Sequence, residues 1–151
     1  MVKPLKRPVS ALVVLHDGCG NILLIQRADR QNFWQSVTGS VEDGEIPFET
    51  AVREVWEETG IRLSDGQLDD WQHSSVYEIY PHWRYRYPPG VTHNIEHVFS
   101  AIIPRNSTIR LQPEEHSAYQ WLPIADAAEK VFSPSNREAI LRLGKHLNQK
   151  D

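Results

Sequence analysis

A single domain of mixed α and β structure is the fold class this chain predicts, and three observations carry it. Aliphatic runs of strand length recur along the chain, the first being Val9 to Leu15 and Ile22 to Ile25. One segment, 47–59, has an apolar stripe at helical spacing and clear end signals. The chain of 151 residues, 40% hydrophobic and 24% charged, suits one soluble globular core that buries roughly 70% of the unfolded surface. The expected domain therefore spans 1–151.

The elements follow in order. Residues 9–16 read as a buried strand by their aliphatic content. Asp17-Gly18-Cys19-Gly20-Asn21 is a turn sequence, and 22–27 is a second strand, so the two form a hairpin. A short extended piece, 34–38, delivers the chain to Gly39. Segments 68–80 and 95–103 read as longer strands. The stretch 81–92 holds Pro81, Pro88, Pro89 and Gly90 and reads as a loop. A brief strand, 119–122, is followed by helices over 123–131 and 135–147. Repeats and low-complexity stretches do not stand out.

The helix over 47–59 has two faces. Pro47 suits a first turn that does not need its N–H, and Gly60 suits the left-handed position past the end. Phe48, Val52, Val55 and Thr59 fall on one side. Setting Glu54 at zero and stepping ~100° per residue puts Glu58 near +40° and Glu57 near −60°. These three like charges repel on a free helix. A divalent cation reverses that sign, because hard cations take several carboxylate oxygens from one direction. A Glu-rich helix is most often only a solvated face, so the surrounding spacing decides.

Gly39-Ser40-Val41-Glu42-Asp43-Gly44-Glu45 precedes the helix. Gly39 and Gly44 match the outer part of a phosphate-binding Gly-x4-Gly loop, but Glu45 and Ile46 stand where such a loop needs Lys and Ser or Thr. A carboxylate in that place calls for a bridging metal. Residues 39–61 resemble the Nudix box, Gly-x5-Glu-x7-Arg-Glu-U-x-Glu-Glu-x-Gly-U with U aliphatic. Gly39, Glu45, Arg53, Glu54, Glu57, Glu58 and Gly60 fill its fixed positions, and Val55 and Ile61 fill U. The resemblance implies the Nudix fold, a mixed β-sheet sandwiched between α-helices.

Further stretches narrow the resemblance. They are Lys6-Arg7-Pro8-Val9-Ser10, Phe33 to Glu42 with Val-Thr-Gly-Ser where many Nudix proteins have Pro-Gly-Gly, and Arg86 to Thr92. Glu115-His116, Tyr119 to Leu122 and Ser135-Asn136-Arg137 complete the set. From about residue 6 to 140 the chain resembles the bacterial dihydroneopterin triphosphate diphosphatases, the Nudix enzymes of folate synthesis. The similarity is weakest at 64–76 and at the C-terminus. It implies Mg²⁺-dependent hydrolysis of dihydroneopterin triphosphate to dihydroneopterin monophosphate and pyrophosphate, with Mn²⁺ able to substitute.

The same resemblance assigns residues. Glu54 and Glu58 are implied metal ligands. Glu57 is a further ligand or the base that orients water, and which acid acts as base varies between Nudix enzymes. Glu115 is the implied fourth acid, with Glu114 as the solvated alternative. Arg53 pairs with Glu45 and orients the acids. Gly39 offers a backbone carbonyl to metal. Lys6 and Arg27 are the implied phosphate cations, and Thr38 offers a hydroxyl. Tyr77, Glu78, Ile79 and Tyr80 match the stretch used near substrate, where an aromatic could stack on a pterin and a carboxylate could accept from its amino group. Ordinary strand packing is the plain reading of Tyr77 and Tyr80. Ser135 approaches ligand or caps its helix.

Two other readings stay open. A general (deoxy)nucleoside triphosphate pyrophosphohydrolase, acting on dATP for example, would use the same acids. A ligand-sensing module without turnover would not need them. Net charge is −4 with no long basic run, which argues against nucleic acid as partner. Tyr77, Tyr80, Trp83, Tyr85 and Tyr87 interleave with Arg84 and Arg86, an arrangement that suits a substrate-covering loop or subunit contact. The seven histidines lack zinc-type spacing. Cys19 is the sole cysteine, so no intrachain disulfide forms. The longest apolar run is too short to span a membrane. The N-terminal basic residues lack a cleavage site after the apolar run, so the cytoplasm is the expected location. Monomer and homodimer both remain open.

Overall fold

The computed structural model describes residues 5–148. Seven strands and three α-helices alternate in the order β1 (Val9–His16), β2 (Asn21–Arg27), β3 (Trp34–Gln35), β4 (Val37–Ser40), α1 (Pro47–Thr59), β5 (Leu68–Glu78), β6 (His93–Ile102), β7 (His116–Pro123), α2 (Ile124–Lys130) and α3 (Pro134–Asn148). A 3₁₀ turn, Pro81–Arg86, lies between β5 and β6. Among the described residues no helix is long and apolar enough to cross a membrane.

The hairpin of β1 and β2 is joined only at its closed end, where His16 faces Ile22. Beyond that the two strands diverge. β3 pairs with β2 through Ile25–Gln35 and Gln26–Trp34. β4 pairs with β1 over Ser10–Ser40 through Val13–Val37. The chain thus crosses from one strand of the hairpin to the other inside the gap. The predicted extended piece 34–38 is really these two strands, interrupted at Ser36. At the crossing Ser36 leaves the ladder, and the buried Asn136 of α3 replaces the lost partners. Its Oδ1 accepts from the Ser36 N–H at 2.8 Å and its Nδ2 donates to the Ser36 hydroxyl at 2.9 Å.

β6 runs parallel to β1 along its whole length, and β5 is antiparallel to β6. β5 carries an irregularity between Asp70 and Ser74, with Gln72 at φ 52°. β7 pairs with β2 from Pro123 down to His116, a longer strand than 119–122, with a register shift at Gln26/Arg27.

Side chains alternate across a strand, so β1 feeds two cores. Ala11, Val13 and Leu15 join Val55, Ala51 and Phe99 under α1. Leu12 and Val14 join Ala127, Val131, Ile140 and Leu143 under α2 and α3. This is why residues 11–15 are apolar without interruption. The sheet is sandwiched between helices, as expected.

Candidate active site

Local sequence fixes helix α1 first. Pro47 stands in its first turn, and the Glu49 carboxylate accepts from the Ile46 N–H at 3.0 Å. Gly60 ends it at φ 76°, its N–H bonded to the Trp56 carbonyl at 2.9 Å. Ala51, Val55 and Thr59 are buried against the sheet. Phe48, expected on that face, is half exposed and meets Phe99 edge-on at 6.1 Å.

Arg53 is the hub of the acid face. Its Nε donates to Glu45 Oε2 at 2.6 Å and its Nη2 to Glu45 Oε1 at 3.0 Å, a two-pronged contact. Nη1 reaches Glu54 at 2.7 Å and Glu57 at 3.1 Å, and Nη2 also reaches the Ser40 carbonyl at 3.1 Å. Thr50 adds a hydroxyl bond to Glu45 at 2.8 Å. The Arg53 contact, ahead of all else, holds the Glu45 carboxyl down at about 2. One guanidinium therefore ties the loop 40–45 to the helix and fixes the direction of two acids.

Gly39 lies against Glu54. A β-carbon there would overlap the Glu54 carboxyl group. The residue is glycine because the helix acid occupies the space of a side chain.

Glu58 is the unusual member. It is 6% exposed, and neither of its oxygens has a hydrogen-bond partner among the described residues. Burial, and then the Glu54 carboxylate beside it, push its acidity well above the usual carboxylate range, and the nearby Thr38 main chain offsets this only in part. His116 Nε2 stands 3.6 Å away, too long for a strong hydrogen bond. Burial, above all else, lowers the His116 pKa, so the imidazole adds no fixed charge to offset Glu58. An orphaned buried carboxylate costs free energy unless a cation meets it. Oxygen-only donors crowded against a glycine are the chemistry of a hard divalent ion. The residues fit one. Among the described residues, however, no three acids converge on one point, since Glu54 and Glu57 lean on Arg53.

The other site residues gather around these acids from distant segments. Glu115 is exposed, and its charge acts on Lys6, Arg27, Glu58 and His116. Its carbonyl accepts from the Ala28 N–H at 2.9 Å. Burial first, then repulsion from Arg86, lower the Lys6 pKa to about 8. The Lys6 N–H is bonded to the Arg86 carbonyl at 2.8 Å. Arg27 is gripped by Asp29 through two bonds, 2.9 and 2.7 Å, and lies 4.9 Å over the Trp83 ring. Lys6, Arg27 and Arg86 thus form a cationic group next to the acids.

Sequence reasoning passed over Arg86 and Trp83 as site residues. Both belong to the turn Pro81–Arg86 and its aromatic anchor. Trp83 packs edge-on to Phe33 and Phe132, which stack on each other at 4.6 Å. The interleaving of aromatics with arginines was visible in the sequence, but not where it docks.

The segment 77–80 splits by the alternation of a strand end. Ile79 is buried. Glu78 faces out and pairs with Arg84 at 2.9 Å. Tyr80 is exposed and stacks on His82 at 5.6 Å. Tyr77 is partly buried, and its hydroxyl accepts from Asn94 Nδ2 at 3.0 Å. Ser135 donates to the buried Glu96 at 2.9 Å. Thr38 lies across from Leu12 on the α3 side of the sheet.

The NUDIX domain family model matches residues 6–143. The chain is 46% identical over 141 residues to the dihydroneopterin triphosphate diphosphatase of Escherichia coli K12, covering 91% of this chain and 93% of that protein. It is 40% identical over 138 residues to the Haemophilus influenzae protein of the same name, covering 89% and 86%. The solved structure of the E. coli dihydroneopterin triphosphate pyrophosphohydrolase superimposes with a TM-score of 0.86 at 45% identity, over 93% of this chain and 97% of that one. The chain belongs to the NUDIX family of hydrolases.

Proposed function

We propose that the protein hydrolyses dihydroneopterin triphosphate to dihydroneopterin monophosphate and pyrophosphate with Mg²⁺. The observation that carries this is near-full-length identity of 46% to a relative of that name, in a chain that brings Lys6 and Arg27 near Glu54 and Glu115.

Glu54, Glu57, Glu58 and Glu115 are the residues that would hold the ion. A bound magnesium ion supplies charge neutralisation at phosphate oxygens and a more acidic water. Everything else falls to the chain. Lys6, Arg27 and Arg86 draw in and orient the triphosphate, and Thr38 lines the α3 side of the adjoining strand. Glu57 is the accessible acid, and burial, then the Glu54 charge, raise its pKa, which suits it to take a proton from the attacking water. The water oxygen bonds to phosphorus, its proton passes to a carboxylate, and the phosphoanhydride bond to pyrophosphate breaks. Arg53 holds Glu54 and Glu57 in place without touching substrate. The turn Pro81–Arg86, anchored by Trp83, covers the cationic side.

The test is pyrophosphate release with Mg²⁺ from dihydroneopterin triphosphate and from each of the four dNTPs, at equal sub-saturating concentration. A clear pterin preference is expected. Better turnover of ordinary dNTPs overturns the substrate assignment and leaves a nucleoside triphosphate pyrophosphohydrolase.

A further inference from the structure

The α3 side of the sheet holds a second polar group that the hydrolytic machinery does not use. Register places Glu96 of β6 opposite Ser10 of β1, and Ser10 opposite Ser40 of β4. Asn94 sits two residues before Glu96, on the same face, and opposite Tyr77 of β5. Glu96 is 4% exposed and Asn94 is fully buried. Buried polar groups are normally satisfied, and this pair is satisfied only in part. The Asn94 amide bonds to the hydroxyls of Ser10 at 2.7 Å and Tyr77 at 3.0 Å, and its other end, Oδ1, has no partner. A carboxylate offers about four acceptor positions. Glu96 receives one bond, from Ser135, and no ion pair among the described residues.

This group lies two strand spacings, about 10 Å, from Ser40, whose carbonyl accepts from Arg53 at 3.1 Å. That spacing is of the order of a bicyclic ring with a short carbon chain, so a ring held at Glu96 would extend toward the loop that Arg53 ties to the acids. Glu96 and the Asn94 Oδ1 leave acceptor capacity open here, so the complementary ligand edge is rich in N–H groups. Two adjacent donors on a planar heterocycle meet a carboxylate in paired, parallel bonds. A pterin presents such an edge in its ring N–H and exocyclic amino group, and guanine does too. Adenine and cytosine present an amino group beside an acceptor nitrogen, which the carboxylate repels.

We infer that Glu96, backed by Asn94 and Ser135, is a specificity-determining residue that binds the N–H/amino edge of the substrate's heterocycle. The inference rests on the proposed reaction for the pterin, but it holds for any ring with that edge. Burial raises the Glu96 pKa, and paired N–H donors would favour the charged form.

The test measures kcat/KM of wild type and Glu96→Gln on dihydroneopterin triphosphate, dGTP and dCTP. Gln keeps the shape and turns one acceptor into a donor. The variant should lose roughly 10- to 100-fold on dihydroneopterin triphosphate and dGTP and keep or raise its dCTP rate, because Gln offers cytosine both an acceptor and a donor. An equal loss on all three overturns the inference, because Glu96 then acts only on the fold. A second measurement needs no variant: neopterin should compete with substrate on wild type, and the matching lumazine, with oxygen in place of the amino group, should not. Equal competition by both also overturns it. If wild type prefers dGTP to the pterin while Glu96→Gln still loses dGTP selectively, the proposed substrate falls and the Glu96 assignment stands.

Discussion

The two faces of the central sheet handle buried charge in opposite ways. On the α1 face, Arg53 satisfies Glu45, Glu54 and Glu57 together, and Glu58 is left without a hydrogen-bond partner among the described residues. On the α3 face, Glu96 has a single serine and no cation among the described residues. On the proposed reading, the first arrangement orients acids toward an ion and a phosphate chain, and the second receives donors from a ring. Chemistry and recognition are then separated by the thickness of one sheet. Each half should be breakable without the other.

The largest effect is expected from Glu57→Gln. Losing the proton acceptor should lower kcat about 1,000-fold while the far-ultraviolet spectrum and melting temperature stay near wild type. Retained turnover would remove Glu57 from the mechanism. Next comes Gly39→Ala. The added methyl must push Glu54 aside, and misplacing a catalytic acid by an ångström costs about 100-fold in kcat. Assays with pyrophosphate detection read both variants.

Lys6 gives a pH-dependent probe of the cationic side. Its pKa is lowered to about 8, first by burial and then by Arg86. It is an ammonium below that pH and a neutral amine above it. A polyphosphate binds the ammonium and pulls the pKa back up. KM should thus be flat on the acid side and rise as pH passes 8, up to about tenfold per unit. Lys6→Met should start with a high KM and lose the rise. A rise unchanged in Lys6→Met would assign it to another group.

The smallest effect concerns stability. Arg53→Ala removes the two-pronged contact to Glu45, at a cost of about 2 kcal/mol in urea unfolding. Glu45 is held at about 2 in the fold against an ordinary value of about 4.3. A depressed carboxylate contributes stability that is complete above its unfolded pKa and lost as pH falls through its folded one. Wild type should lose that contribution between about pH 4.5 and 2, and Arg53→Ala should lack this loss. Identical acid profiles would show that the Arg53–Glu45 pair adds nothing.

The same split governs what the sequence disclosed. The acid face is local. Gly39, Glu45, Arg53, Glu54, Glu57 and Glu58 sit in one loop and one helix, so their spacing carried the resemblance to the Nudix box. Pro47 and Gly60 marked both helix ends correctly. The recognition face is assembled from cross-strand neighbours. Ser10, Tyr77, Asn94 and Ser135 come from three strands and a helix, and only register brings them to Glu96. In the sequence, Asn94 and Glu96 look like polar residues at the start of a strand. The expected strand 95–103 began too late to include Asn94. Glu58 read as one more acid on a wheel, and only tertiary packing shows it buried against His116. Trp83 and Arg86 were conspicuous as composition, but their place over Arg27 and beside Lys6 depends on packing against Phe33 and Phe132.

The most direct measurement is the ratio of kcat/KM for dihydroneopterin triphosphate to that for dCTP in wild type, Glu57→Gln and Glu96→Gln. Separate faces predict that Glu57→Gln lowers both rates together and leaves the ratio unchanged, while Glu96→Gln collapses the ratio. A ratio that shifts in Glu57→Gln, or holds in Glu96→Gln, would contradict the division of the molecule into a hydrolytic and a recognition face.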